Sequence, residues 1–162
     1  MSDKTSEDRQ LWDRLVESHM AFVKAAMEFL SGDVDRISLL RNALRGKERT
    51  TALYIAPQLS VGEKQALFRE WLFLASFDHG ALHRVREIIL SLPRDWVLAN
   101  IENETADLLN SADSLEYRRF LELYLLLDSH LALRLAKQAN THRDKEIRET
   151  GEEFLEKING SR

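Results

Sequence analysis

Apolar residues along this chain recur at steps of three and four residues, which is the spacing of one face of an α-helix. The longest stripe runs through residues 7–30 and ends at a Ser-Gly-Asp turn. Further segments of the same kind follow at 34–44, 47–59, 63–77, 79–92, 95–109, 115–127, 129–139 and 144–158. Strands would require sustained alternation of apolar and polar residues, and none is evident. The pattern therefore predicts an all-α protein of about nine helices.

The eight segments after the first pair as helical hairpins, and the second helix of each pair carries an arginine near its start. Aligning Arg49, Arg86, Arg118 and Arg148 gives steps of 37, 32 and 30 residues. A repeat of this length is typical of stacked hairpins, in which each hairpin buries the apolar face of its neighbour. Pro93 interrupts the alignment in the second unit, because proline does not fit inside a helix.

The last segment carries a recognisable motif: Asp144, Ile147, Arg148, Gly151, Leu155 and Ile158. It resembles the second helix of a HEAT repeat, a family in which the aspartate and arginine join successive hairpins and the small residue allows close helix approach. The other three units lack an aspartate four residues before the arginine. The resemblance implies a right-handed stack of antiparallel helical hairpins, a HEAT-like α-solenoid.

Such a stack would form a single domain over residues 1–162. Its end units need polar outer faces, because nothing stacks on them. We expect helix 7–30 to cap the N-terminal end and the polar residues 1–6 to be disordered. We expect Trp12, Trp71 and Trp96 to pack in the core. Of the three, Trp12 is the best candidate for exposure because it lies near the start of that helix, and an exposed aromatic side chain there would serve a partner surface.

Composition excludes several classes of protein. The chain has a formal net charge of −4 and no cysteine. It therefore forms no disulfide or thiolate metal site, and it fits a reducing compartment. The net negative charge disfavours binding to nucleic acid and to anionic membranes, which both require a basic surface. No apolar run approaches the ~20 residues that cross a bilayer, and the N-terminus does not resemble a signal peptide. We expect a cytoplasmic protein.

Few residues could support catalysis. His79 and His83 stand one helical turn apart, as two zinc ligands can, but zinc would need a third ligand from elsewhere. Glu102, Glu104 and Asp107 form an acidic cluster that is better interpreted as a solvated helix face than as an acid–base pair. Glycine-rich phosphate loops and serine nucleophile elbows do not occur. We therefore expect no enzyme activity, no cofactor and no metal site.

Arginines near the starts of the second helices are the stronger candidates for a binding site. If the hairpins stack, these arginines would form a basic band suited to an acidic peptide, a phosphate or a nucleic-acid backbone. The alternative, which we favour, is that they pair between hairpins with carboxylates such as Asp78, Asp113 and Asp128. The candidate partner-binding residues are Arg49, Arg84, Arg86, Arg118, Arg119 and Arg148.

The sequence thus predicts a non-catalytic scaffold or adaptor that binds another protein, one with an acidic surface if the basic band is the contact. The second candidate face is segment 115–127, which is apolar on nearly all sides and so must be central or covered by a partner. Two alternatives stay open. One is a HEAT-like nucleic-acid-binding enzyme of the DNA glycosylase type, and the other is a bundle that self-associates through its apolar helix.

Overall fold

Helices make up most of the chain. The structure is a computed structural model that describes the backbone of residues 2–160 and the side chains of residues 6–160. The prediction of an all-α fold is confirmed, since no strand occurs within the described backbone. The α-helices are α1 (Ser2–Ser31), α2 (Arg36–Arg45), α3 (Arg49–Ile55), α4 (Val61–Ala66), α5 (Phe68–Ala75), α6 (Leu82–Leu90), α7 (Arg94–Ser111), α8 (Ser114–Leu127), α9 (Ser129–Asn140) and α10 (Lys145–Gly160).

The described backbone holds ten α-helices rather than about nine, because segment 63–77 is divided at Leu67. In an unbroken helix the carbonyl oxygen of Lys64 would accept a hydrogen bond from the amide four residues later. Here it accepts one from the indole Nε1 of Trp71 at 2.9 Å. The helix is interrupted at this point and restarts as α5. Each described helix is too short or too polar to span a lipid bilayer.

The first helix also differs from the prediction. α1 begins at Ser2, so residues 2–6, which the sequence analysis expected to be disordered, form its first turn.

Asp and Ser side chains cap several of the later helices by accepting hydrogen bonds from their first amides, as helix N-termini require. The capping residues are Asp35, Ser60, Asp113, Asp128 and Asp144.

Helices that are close in sequence are also close in space. α2 packs on α3, α5 on α6 and α7, α7 on α8, and α9 on both α8 and α10. α8 additionally contacts α5 and α10, and six of its side chains are buried, among them Tyr117, Phe120 and Tyr124. The apolar segment 115–127 is therefore central, covered by other helices of the same chain. Leu115 and Leu126 are the large apolar side chains that it leaves exposed.

α10 approaches α9 closely at Gly151. A Cβ atom on Gly151 would lie 2.7 Å from the backbone nitrogen of Asn140 and 2.8 Å from the Cβ of Ala139. It would also lie 2.9 Å from the carbonyl oxygen of Ala136. Only glycine fits at these distances without a shift of α10 or α9.

Glu63 joins the start of α4 to α2. Its carboxylate accepts hydrogen bonds from Arg36 Nε at 2.6 Å, from Ser60 Oγ at 2.8 Å and from the Ser60 amide at 2.9 Å. The bond from Arg36, followed by those from Ser60, lowers the pKa of Glu63 from 4.5 to about 2. A carboxyl group whose pKa is depressed in the folded state stabilises the fold above its unfolded pKa and loses that contribution as the pH falls.

We expect the wild-type protein to lose about 2 kcal/mol more stability than Glu63→Gln between pH 5 and pH 2. Urea unfolding followed by circular dichroism across this pH range measures the difference. Glu149→Gln is the control, because the ion pair that Glu149 forms among the described residues is an exposed contact of 3.3 Å with Lys145. Equal acid sensitivity in wild type and Glu63→Gln would contradict the role assigned to this carboxylate.

Candidate binding surface

The structure brings two of the predicted band arginines together on one carboxylate. Arg86 of α6 donates to Glu122 Oε2 of α8 at 2.6 Å, and Arg119 donates to the same oxygen at 3.1 Å. The Arg86 side chain is only 18% exposed. Burial alone would raise the pKa of Glu122, but the hydrogen bonds from Arg86 and Arg119 outweigh it and the pKa is lowered. Arg86 therefore joins α6 to α8, whereas the Arg119–Glu122 pair lies within α8.

Two further band arginines are engaged near the C-terminus. Arg118 of α8 makes a two-point contact with Glu153 of α10, with one N–O distance of 2.8 Å, and its guanidinium carbon lies 5.8 Å from the centre of the Phe154 ring. Arg148 donates to the carbonyl oxygens of His142 at 2.7 Å and Arg143 at 2.9 Å. The guanidinium N–H groups of Arg118 and Arg148 thus form hydrogen bonds within the protein.

Arg49 and Arg84, like Arg148, have no carboxylate partner among the described residues. Arg49 donates to the carbonyl oxygen of Leu44 at 2.9 Å and lies 5.7 Å from the centre of the Phe77 ring. Arg84 is exposed on α6. Within residues 6–160 neither forms an ion pair, so both retain a positive charge that no carboxylate offsets.

The carboxylates that meet the arginines are mostly not the aspartates that the sequence suggested. Asp78 accepts from the Gly80 amide and Asp113 caps α8, whereas Asp128 does pair with an arginine, Arg94, at 2.7 Å. Glu122 and Glu153 were missed as partners. They follow their arginines by 36 and 35 residues, so an Arg–Glu spacing of about one repeat is the signal that could have found them.

Three arginines converge at one pocket. It has a volume of about 350 Å³ and is lined by Arg45, Arg49, Arg69, Phe73 and Leu108; we call it the arginine pocket. Arg45 ends α2, Arg49 begins α3, and Arg69 stands one turn before Phe73 on α5. Packing of α2 and α7 against α5 thus brings together side chains that are far apart in sequence.

The arginine pocket is basic although the molecule is acidic. Arg41 and Arg45 both contact the buried carboxylate of Glu70 at 3.2 Å, and Arg69 contacts Asp107 at 3.1 Å. Four guanidinium groups, counting Arg49, therefore face two carboxylates. Guanidinium groups bind carboxylates in a planar, two-point geometry, and the apolar Phe73 and Leu108 offer a surface for an aliphatic or aromatic side chain.

A second candidate surface is the first half of α1. Every side chain of residues 6–20 is exposed except that of Asp13, which is half-buried; we call this segment the N-terminal arm. Leu11, Trp12 and Leu15 are 57%, 59% and 60% exposed. The expectation that the tryptophans pack in the core is confirmed for Trp71, which is fully buried, and is wrong for Trp12.

An apolar groove lies beside the second half of α1. It has a volume of about 460 Å³ and is bounded by α1, α2 and α3. Small side chains make up much of its wall, with two phenylalanines at its α1 edge. The wall includes Phe22, Ala25, Ala26, Phe29, Ala43 and Ala52.

The residues considered for chemistry are dispersed. His79 Nε2 lies 3.0 Å from the carbonyl oxygen of Leu74. Glu102 pairs with Arg134 and Asp107 with Arg69, so the acidic cluster is divided between different partners. Within the part of the chain that the structure describes, no group of three or more His, Asp or Glu side chains is placed to hold a metal ion.

Comparisons of this chain with protein-family models, with curated proteins and with solved structures found no match. The likeness to HEAT repeats therefore depends on the motif in residues 144–158 and on the contacts described above.

Proposed function

We propose that the protein is a non-catalytic, HEAT-like scaffold that binds an acidic segment of another protein at the arginine pocket. The observation that carries this proposal is the convergence of Arg45, Arg49 and Arg69 around Phe73 and Leu108. Arginine and aromatic side chains contribute most of the binding energy at many protein interfaces.

The stacked architecture in this proposal is supported by ion pairs that join α6, α7 and α8 to residues about one repeat later. Arg86–Glu122, Arg94–Asp128 and Arg118–Glu153 link residues that are 36, 34 and 35 positions apart. Contacts between neighbouring units are what hold a helical stack together. The glycine at the crossing of α9 and α10 supports the same interpretation.

The structure departs from the HEAT pattern in how the motif residues are used. Asp144 caps α10 by accepting hydrogen bonds from the amides of Glu146 and Ile147. Arg148 binds carbonyl oxygens of the loop before α10. Both residues therefore stabilise their own hairpin, whereas Arg86 and Arg118, which align with Arg148 in the earlier units, form ion pairs with the following hairpin.

An acidic segment could enter the arginine pocket without breaking buried interactions. Arg49 has no carboxylate partner within the described residues, and the Arg69–Asp107 pair is exposed on both sides. Exposed ion pairs contribute only about 0–1 kcal/mol, so a partner carboxylate can compete with Asp107 for Arg69. The arginine of a partly buried pair such as Arg86–Glu122 is less available in this way.

We expect Arg69→Glu to weaken binding of a short glutamate-rich peptide containing one phenylalanine by about tenfold or more, because it reverses one of the charges that attract the ligand. Fluorescence anisotropy with the labelled peptide at low salt measures this. Arg134→Glu is the matched control: Arg134 also forms an exposed cross-helix ion pair, with Glu102 at 3.0 Å, but lies outside the pocket.

Binding that falls equally in both variants would show a general charge effect and contradict the proposed site. Absence of binding by the wild type at low salt would contradict it as well. Duplex DNA added as competitor distinguishes the nucleic-acid alternative, since we expect it to leave the peptide bound. Displacement of the peptide by DNA would instead support a nucleic-acid-binding role.

A further inference from the structure

The N-terminal arm presents an apolar surface that a single molecule leaves in water. The ion pair that the described arm forms, Arg9 with Asp13, lies within α1 itself. Helices in proteins obtain most of their stability from packing of an apolar face, and an isolated helix of this length is marginal in water. The arm therefore requires a surface to cover Leu11, Trp12 and Leu15.

The uncovered stripe of the arm continues without interruption into the groove. Its positions follow each other at steps of 3, 4, 3, 4 and 3 residues, which is the spacing of a seam between two paired helices. The first three positions lie in the arm, and the last three lie at the groove. These positions are Trp12, Leu15, His19, Phe22, Ala26 and Phe29.

The two ends of this seam complement each other in size. The arm carries the bulky side chains of Trp12 and Leu15, whereas alanines line the groove at the other end. The groove's volume of about 460 Å³ accommodates an indole ring together with a leucine side chain. A two-fold symmetric interface uses the same patch on both molecules, so each patch must complement itself in this way.

The charges along the seam are compatible with a second copy of the same chain. Charged residues at the positions flanking a helical seam usually select the partner, and like charges there oppose pairing. The flanking positions over 11–30 hold no charged residue. They are Leu11, Val16, Ser18, Val23, Ala25 and Leu30.

The available area also fits a stable dimer. The exposed parts of the large apolar side chains at the seam, at its flanking positions and beside the groove (Leu11, Trp12, Leu15, Val16 and Leu39) amount to roughly 350 Å² if a buried aliphatic side chain removes about 100 Å² and a tryptophan about 250 Å². An interface that is about 60% apolar would then bury about 600 Å² on each partner, which is at the lower end of the size range of specific complexes.

We propose that the occupant of the groove is the N-terminal arm of a second copy, and that the protein is a two-fold dimer in which the two α1 helices run antiparallel. Trp12 of each copy lies level with Ala26 of the other, and the two-fold axis passes beside His19. Both arms are covered at once, and the arginine pockets stay outside the interface.

Trp12→Glu tests this interface. Hot-spot side chains contribute about 2 kcal/mol each or more, and a symmetric dimer loses two of them, so the dissociation constant should rise about a thousandfold. Size-exclusion chromatography with light scattering over micromolar concentrations should show a wild-type dimer and a monomeric variant. Leu115→Glu is the control, because Leu115 is 70% exposed on α8 and should leave the dimer intact.

Cysteine cross-linking tests the arrangement independently, since the chain contains no cysteine of its own. His19→Cys should form a disulfide-linked dimer under mild oxidation because its two copies meet at the axis. Met27→Cys should not, because its two copies would be about 24 Å apart along antiparallel helices, well beyond the ~7 Å reach of a disulfide.

A wild-type monomer at these concentrations would overturn the proposal, and so would linkage through residue 27 but not through residue 19. Circular dichroism confirms that each variant is folded. The dimer proposal and the peptide-binding proposal are tested independently. A wild-type monomer that binds the glutamate-rich peptide would contradict only the dimer, and a dimer that does not bind the peptide would contradict only the role of the arginine pocket.

Discussion

Gly151→Ala is expected to lower the free energy of unfolding by about 3 kcal/mol, although alanine is the better helix former. The added Cβ would stand within 3.0 Å of three atoms of α9, two of which belong to the backbone. Backbone atoms cannot turn aside as a flexible side chain can, so α10 must move away from α9. For a chain of this size the melting temperature should fall by about 6–12 °C, as measured by circular dichroism or calorimetry.

Gly62→Ala provides the matched control. Gly62 lies in α4, and no atom stands within 4 Å of the position that its Cβ would take. Alanine there should leave stability unchanged or raise it by up to about 1 kcal/mol, because glycine weakens a helix. If both substitutions stabilised the protein alike, α9 and α10 would not approach as closely as described.

Arg86→Glu is expected to destabilise the protein by about 3–5 kcal/mol, because it replaces a nearly buried partner of Glu122 with a second carboxylate. Arg119 then remains as the single cation facing two carboxylates. The melting temperature should fall by about 10 °C or more. The same measurement separates the two interpretations of the basic band, since a residue that serves only to bind a partner could be replaced without loss of stability.

Arg84→Glu, two residues earlier on the same helix, is the control for that experiment. Arg84 is exposed and forms no ion pair within the described residues, so its replacement should change stability by less than about 0.5 kcal/mol. Equal melting of the two variants would show that Arg86 is as free as Arg84 and that α6 and α8 are not joined through Glu122.

The helices were largely predictable from sequence because their causes are local. Apolar periodicity and capping residues such as Asp113 and Asp128 act within a few residues of the helix that they specify. The division of segment 63–77 was not predictable, because it depends on the Trp71 indole reaching the Lys64 carbonyl. Helix propensities describe single residue types and do not include a hydrogen bond between the side chain of one residue and the backbone of another.

The binding surfaces were less predictable, because they depend on which helices become neighbours. Periodicity identified the stripe of α1 but could not show that the body covers its second half and leaves Trp12 exposed. Arg49 was a candidate from its place in the repeat, whereas Arg69 joins it only through the packing of α5 against α2 and α7. The central position of α8 followed more directly, since a helix that is apolar on nearly all sides has to be surrounded.

The most direct measurement of the proposed function is a nuclear magnetic resonance titration of isotope-labelled protein with the glutamate-rich peptide. The side-chain Nε–Hε signals of Arg45, Arg49 and Arg69 and the methyl signals of Leu108 should shift with a common saturation curve. The corresponding signals of Arg86 and Arg118 should stay in place, because their guanidinium groups are held by Glu122 and Glu153. Shifts that are confined to other arginines, or that are absent at saturating peptide, would contradict the assignment of this pocket as the binding site.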